Sequence, residues 1–328
     1  MRQAPETIMN EISIDLVDTL ANIRNRAVVM AEVGWSELGT IVSSILPDPL
    51  NPMALLPIAT GIAAGGDIKG LIPAAAAITL IDSSLRTVDD CMDRDDQDAL
   101  YKSIGINRAI NLAMALNTVA TRELTHLHLP PRESERLLDN CFRAFLEVCQ
   151  GQDKDISMYA DTLVEYEEIV RLKTVSAYEF AAVIGALVAS SDTNAIEMCS
   201  KCGIHLGWMA QIMNDIEDLW FSVDRGNLSF KHFTFPLLYG LSMENPHTTE
   251  LRQLCSDNNY DEDRIRILLD EMNVRRELMT LALDHRYHAL AALGPPLHPD
   301  GLAIVQIWLD WLFRDGDYFL GKDSRQYT

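Results

Sequence analysis

Positive charge is scarce in this chain. Lysine and arginine together number 27 against 48 aspartates and glutamates, for a net charge of −21. That balance excludes unaided binding to nucleic acid, which needs a basic footprint. It also excludes a simple electrostatic dock on anionic lipid. An anion handled by such a protein needs a bridging cation. Cysteine is sparse too: Cys91, Cys141, Cys149, Cys199, Cys202 and Cys255 form no dense framework. Free thiols in a reducing cytoplasm are expected. Cys199 and Cys202, with His205 one turn on, have a spacing that zinc can use. No second pair lies nearby, so they read as small buried helix residues. The opening MRQAPETIMNEISIDL lacks an apolar signal core, so no leader is expected. The most apolar stretch, PMALLPIATGIAAGG (52–66), is too short for a membrane span and is broken by proline and glycine. No nucleophile elbow, P-loop or GxGxxG is present.

Alternating apolar and polar residues are missing as well, which argues against strands. Nearly every long segment instead has a helical period. Examples are residues 71–92, 107–127, 157–173, 174–190, 194–221 and 262–293. DPLNP, AGGD, LPPRE, SSDTN, ENPHT and LGPPLHPDG punctuate them with proline, glycine and capping residues. There is no low-complexity linker and no basic run. The reading is one all-α domain over residues 1–328, with ten or more helices and no internal boundary. LIPAAAAITLI and FAAVIGALVAS are apolar on more than one face and belong inside a bundle.

What is abundant is aspartate in one place. TVDDCMDRDDQD (87–98) holds six, directly after an apolar run. Asp89 and Asp93 share a helix face, with Asp90 beside them. A solvated helix end is the plain explanation. The C-terminal end of a helix, however, is an unfavourable place for carboxylates, because the macrodipole is negative there. A hard divalent cation with oxygen ligands would absorb the repulsion. A second cluster, QIMNDIEDLW (211–220), sets Asn214 and Asp218 four apart, with Asp215 adjacent and Gln211 one turn earlier. Two such clusters, each closing an apolar helix, fit a cavity that is greasy below and lined with metal ligands at its mouth. Its natural ligand is a hydrocarbon diphosphate held through Mg²⁺.

These residues carry a resemblance to the trans-isoprenyl diphosphate synthases, the polyprenyl synthetase family. DDCMD (89–93) resembles the family's DDxxD motif, and GWMAQIMNDIED (207–218) its GxxxQxxDDxxD motif, with Asn214 for the first aspartate. KTVSAYEFAAVIG, GQDKDI (151–156) and TFPLLYGL (234–241) resemble further family signatures. The matches run in family order from about residue 50 to 240. The resemblance implies the all-α isoprenoid synthase bundle around a central apolar cavity, and a homodimer. It also implies Asp89, Asp93 and Asn214 as main Mg²⁺ ligands, supported by Asp90, Asp215 and Asp218. Lys173 would meet the allylic diphosphate, with Thr174 and Gln211 placing it. Arg225 and Lys231 lie where the family often has a further diphosphate-binding base.

The pattern breaks where the family binds isopentenyl diphosphate. A second, metal-free diphosphate needs permanent positive charge from arginine and lysine. The upstream GGKRxRP place is taken by ILPDPLNPMALL, and the arginine pair after the first motif falls at Asp98 and Ala99. Arg94 and Lys102 are off-register. The expectation is an enzyme that ionises a prenyl diphosphate but transfers the prenyl group to another acceptor, a peptide or an aromatic molecule, as ComQ-type enzymes do. Alternatives are a terpene cyclase, for which Asn214, Asp218 and Ser222 resemble a metal triad without its glutamate, and a non-catalytic partner subunit. A still-functional chain-elongating synthase is the last. Ser84 and Leu85, one turn before Asp89, leave no aromatic plug, so a C15 or C20 substrate is expected to fit. Tyr178 and Phe180 read as core packing before cation-facing walls. Arg86 is expected to pair with Asp82.

Overall fold

The computed structural model describes residues 15–47, 52–93, 99–157, 160–221, 234–256 and 261–312. Among these, fifteen α-helices and no strands are found. In chain order they are α1 (Leu16–Gly34), α2 (Ser36–Ile45), α3 (Leu56–Ala63), α4 (Ile68–Asp93), α5 (Leu100–Ile104), α6 (Ile106–Thr125) and α7 (Pro131–Ser157). Then follow α8 (Leu163–Val170), α9 (Ser176–Ala189), α10 (Thr193–Trp220), α11 (Phe235–Ser242) and α12 (Thr248–Ser256). The last are α13 (Glu262–Glu271), α14 (Val274–Ala292) and α15 (Pro299–Leu312). The fold class read from the sequence therefore holds.

Two periodic runs are divided where a local signal outweighs periodicity. The run 157–173 breaks at Thr162, whose hydroxyl accepts from the Glu165 amide while Glu165 reaches back to the Thr162 amide. This reciprocal cap satisfies two amides that a helix start leaves open. The run 262–293 breaks at Asn273, which has φ 61°. That left-handed conformation ends α13 and starts α14, and asparagine tolerates it better than most side chains.

The chain forms two compact units. The first holds residues 1–144, 179–203 and 290–311, and the second holds 145–178, 204–289 and 312–328. In the first unit α4 is the central helix, with α6, α1 and α3 packed along it and α2 on α1. The apolar half of α4 has little polar surface to offer, so Leu71, Ala74 to Ala77, Leu80 and Ile81 are all buried. Each large aliphatic side chain buried this way contributes about 1.5–3 kcal/mol. Every residue of α3 is buried as well. Its Thr60 and the Thr79 of α4 return their hydroxyls to carbonyls four residues back, both at 2.9 Å, so no buried hydroxyl is left open there. In the second unit α11 packs on α8, α12 and α13. Leu237, Leu251, Leu268, Leu269 and Val274 are buried there.

Two segments, Ile68–Asp93 and Leu163–Ala189, are long and apolar enough to cross a membrane by length and composition. More than half of each apolar window is buried inside the fold, as in core helices of globular bundles.

Candidate functional site

The first acidic cluster closes α4 in the first unit. The last buried apolar residue facing the core is Cys91. Around it Asp89 and Asp90 are half-buried and Asp93 is exposed, one turn from Asp89. One turn back, Arg86 Nε donates to Asp82 Oδ2 at 2.9 Å, the pairing expected from the sequence. Ser84 is buried, and its hydroxyl donates to the Ala113 carbonyl of α6 at 2.8 Å. The small side chain at this place thus serves the α4–α6 contact. Phe180 is buried, in keeping with core packing, and Tyr178 is half-buried.

The second cluster lies in the second unit, and its members divide by face. Asn214 is exposed and Asp218 half-buried, and Asn214 Nδ2 donates to Asp218 Oδ2 at 3.1 Å. Asp215 points the other way and is buried. Its carboxylate accepts from the Tyr166 hydroxyl at 2.6 Å, from Gln211 Nε2 at 2.8 Å and from the Phe235 amide at 3.1 Å. Burial holds this carboxyl up at about 6, against the pull of those three donors. Burial first, and Asp215 second, push the Tyr166 phenol well above its ordinary range. Tyr166 therefore donates, and Asp215 fixes the end of α10 against α8 and the start of α11.

Gln211 continues the network. Its Oε1 accepts from the Thr174 hydroxyl at 2.6 Å, and its Nε2 also lies 3.3 Å from the Tyr166 oxygen. Thr174 and Lys173 sit on a π-helical turn, Arg171–Val175, inserted between α8 and α9. Such a turn widens the helix and is common where a side chain must be aimed off the regular spiral. Two glycines let neighbouring backbone close on it. A Cβ on Gly151 of α7 would lie 2.6 Å from the Lys173 amide nitrogen, and one on Gly207 of α10 would lie 2.7 Å from Val175 Cα. Lys173 Nζ is held by Asp155 Oδ2 at 2.9 Å. Gly151 and Asp155 both belong to GQDKDI, so that signature has a physical content: close approach and a counter-charge for the lysine.

The chemistry of the donors can be compared with Mg²⁺. Asp89, Asp93, Asn214 and Asp218 all present hard oxygens in pairs one turn apart, which suits that ion. No three of the described His, Cys, Asp and Glu side chains gather closely enough to hold an ion alone. An Mg²⁺ ion at either pair would need oxygens beyond the protein's own, water among them, as is usual for that ion. Arg225, Lys231 and Ser222 lie outside the described residues. The cysteines are free, and Cys199 and Cys202 are buried. Cys199 donates to the Thr60 carbonyl at 3.6 Å, and burial pushes its thiol up to about 12. The burial of Cys199 and Cys202 matches the reading of small core residues.

Sequence reasoning missed three features. Tyr166 carries no motif of its own. Its partner was legible, since Asp215 follows Ile212 by three and precedes Leu219 by four, on the buried stripe of α10. The π turn leaves no mark on periodicity. His205 and His285, 80 residues apart in the chain, meet with Nδ1 atoms 3.0 Å apart, and His288 stacks on His205.

Residues 51–272 match the polyprenyl synthetase family model, and the chain belongs to that family. It is 29% identical over 275 residues to a geranylgeranyl diphosphate synthase of Mycobacterium tuberculosis, covering 77% of each chain. It is 27% identical over 213 residues to the tryptophan prenyltransferase ComQ of Bacillus subtilis, covering 65% of this chain and 67% of that one. Several other curated relatives are matched over about half their length. Among solved structures, geranylgeranyl pyrophosphate synthase from Corynebacterium glutamicum, complexed with calcium and isoprenyl diphosphate, superimposes with a TM-score of 0.70. It is 20% identical and covers 90% of this chain and 95% of that one. That likeness concerns the fold.

Proposed function

From membership of the polyprenyl synthetase family we propose that this chain ionises an allylic prenyl diphosphate with the help of Mg²⁺. We propose further that it transfers the prenyl group to an acceptor other than isopentenyl diphosphate. The observation that carries the reading is an asymmetry. The network built on Lys173, Thr174, Gln211 and Asp215 is fully hydrogen-bonded. The bases that a second diphosphate would need are replaced in the sequence by ILPDPLNPMALL and by Asp98-Ala99. A non-catalytic partner would have no need of the intact DDCMD motif, Lys173 and Gln211.

In this reading Asp89, Asp93, Asn214 and Asp218 hold Mg²⁺, with Asp90 in support. When bound, the ion draws negative charge from the departing diphosphate. Lys173 offers a compact positive charge to that diphosphate, exchanging Asp155 for it. Thr174 and Gln211 keep their geometry through Asp215, which acts as a positioning residue rather than a ligand. Arg225 and Lys231 remain candidate diphosphate bases. An aromatic or peptide acceptor is supported by the likeness to the tryptophan prenyltransferase ComQ of Bacillus subtilis. We also place the enzyme in the cytoplasm, which six free thiols support. A homodimer is supported by exposed apolar pairs one turn apart, Ile110 and Met114 on α6 and Phe142 and Leu146 on α7.

The test is a product assay. Protein with Mg²⁺ is given geranyl, farnesyl and geranylgeranyl diphosphate singly, with and without isopentenyl diphosphate. Slow release of the prenyl alcohol alone, accelerated to transfer by an added acceptor, is the expected result. Longer diphosphates would overturn the reading, and a cyclic hydrocarbon would move the protein to the terpene cyclases.

A further inference from the structure

In the first unit α6 packs on both α4 and α1. Ser84 lies nine residues before the end of α4 and Ala113 seven after the start of α6, and a hydrogen bond of 2.8 Å joins them. The two helices therefore run antiparallel. Arg122, nine residues past Ala113, lies about 13 Å further from the first aspartate motif. There a cleft of about 320 Å³ opens between α1 and α6, at the small end of ligand pockets. Met30 is buried in its lining, while Val29 and Val33, one turn apart on α1, are 45% and 70% exposed. Its polar side is Arg26, Arg122, Glu123 and His126. Arg26 is ion-paired with Glu123, which is buried. That pair is neutral as a unit, yet Arg26 Nε is buried without an acceptor. Arg122 is exposed and has no carboxylate partner among the described residues. The lining thus carries an uncompensated positive charge, in a chain whose net charge is −21.

We propose that this cleft binds a free carboxylic acid with an apolar tail, at a site separate from the prenyl diphosphate chemistry. The proposal stands independently of the prenyl-transfer reading. The carboxylate lies on the Arg122 guanidinium, whose fork matches its two oxygens. It also supplies an acceptor for the open N–H of Arg26. The tail covers Val29 and Val33 and takes their apolar surface out of water. Charge selects the head. One uncompensated guanidinium balances one carboxylate, whereas a phosphate ester brings a second negative charge beside Glu123 with nothing to offset it. An ammonium head meets the charge of Arg122 and is refused. Because α1 and α6 both pack along α4, a bound acid ties two neighbours of that helix together, and the folded state gains by mass action.

The full-length protein is titrated by calorimetry with octanoate, octylamine, acetate and octyl phosphate, and thermal melts are recorded with octanoate. Octanoate is expected to bind and to raise the melting temperature. Octyl phosphate should bind severalfold more weakly, acetate about tenfold or more weakly for want of a tail, and octylamine not measurably. In Arg122→Gln octanoate binding should weaken about tenfold, the loss of one charge-assisted contact. In Arg122→Lys it should weaken less, since the charge stays. Val33→Asp, at an exposed position on the other helix, should abolish binding, which keeps the test alive if α6 does not tolerate the first variant. Mg²⁺-dependent diphosphate release from farnesyl diphosphate should be unchanged in all three variants. Release that falls in parallel with octanoate binding would place the acid in the prenyl site and overturn the proposal. Octanoate binding that the variants leave unchanged, equal binding of octylamine, tighter binding of octyl phosphate, or no octanoate binding also overturns it.

Discussion

Removing one hydroxyl tests the buried network of the second unit most directly. In Tyr166→Phe the ring keeps its place, including its edge-on packing against Phe235 at 5.8 Å, but Asp215 loses its shortest hydrogen bond, 2.6 Å. A hydrogen bond to an ionised group contributes about 1.5–3 kcal/mol, against about 1 kcal/mol for a neutral pair. The cost therefore depends on whether Asp215 is charged. Its carboxyl is raised to about 6 in the fold, above the ordinary 3.8. A raised acid favours the folded state below its ordinary pKa, and that advantage is lost as pH rises through about 6. Taking away a donor that lowers the pKa moves the folded value higher still, so the variant continues to lose stability above the pH at which the native protein has levelled off. At pH 8.5 the variant should melt about 3–8 °C lower than the native protein, from the size of the lost bond. Near pH 5 the deficit should fall to about a third of that, since the bond is then between neutral groups. Thermal melts at the two pH values supply the numbers. A deficit that does not change with pH would refute the charged-network argument, and no deficit at either pH would refute the network altogether. Prenyl diphosphate turnover, measured well below both melting temperatures, should fall modestly, because Asp215 keeps Gln211 and the Phe235 amide but loses one of the three donors that fix it.

Two further outcomes follow from the same geometry. In Gly151→Ala, the helix propensity of alanine would stabilise α7 by about 1 kcal/mol, but the added methyl meets the Lys173 backbone at 2.6 Å. Overpacking costs about 1–3 kcal/mol, so the expected result is net loss of melting temperature together with a raised KM for the prenyl diphosphate; a more stable variant would show that α7 yields freely. His285 gives a pH effect of opposite sign to Asp215. Burial, then the neighbouring His205, lower it from 6.5 to about 4. Its neutral form favours the fold above pH 6.5, and that stability is lost as pH falls toward about 4. Allowing for its partial exposure, the loss is about 1–2 kcal/mol. His285→Gln should flatten the decline in melting temperature between pH 6.5 and 4.5, and an unchanged slope would exclude His285 as its source.

The fold was legible because helices bury stripes, and stripes recur in sequence. The apolar half of α4 could be read off LIPAAAAITLI, and its end off the aspartates. No linker composition marked two units, and the structure gives the reason. The chain passes between units within α7, α9, α10, α14 and α15, at positions where periodicity simply continues. Breaks due to one residue's backbone, such as Asn273 at φ 61°, are invisible to a window that averages over several turns.

The candidate site was legible to the extent that its chemistry is local. Asn214 and Asp218 are one turn apart, and any helix would set them on one face. The parts that were not legible depend on chain separation. Tyr166 reaches Asp215 across 49 residues, and His205 reaches His285 across 80. No spacing rule relates such pairs. The division of labour in Asn214-Asp215 shows the physical limit most clearly. Both side chains carry oxygen donors, and the motif alone treats them alike. Burial separates them. A carboxylate placed on the stripe of Ile212 and Leu219 cannot reach solvent, so it must be satisfied by protein donors or lose its charge. Once Tyr166, Gln211 and the Phe235 amide supply those donors, the outward pair is free of any packing duty. Asparagine at 214 is then tolerable to the fold, and in the proposed reading its cost falls on ion affinity.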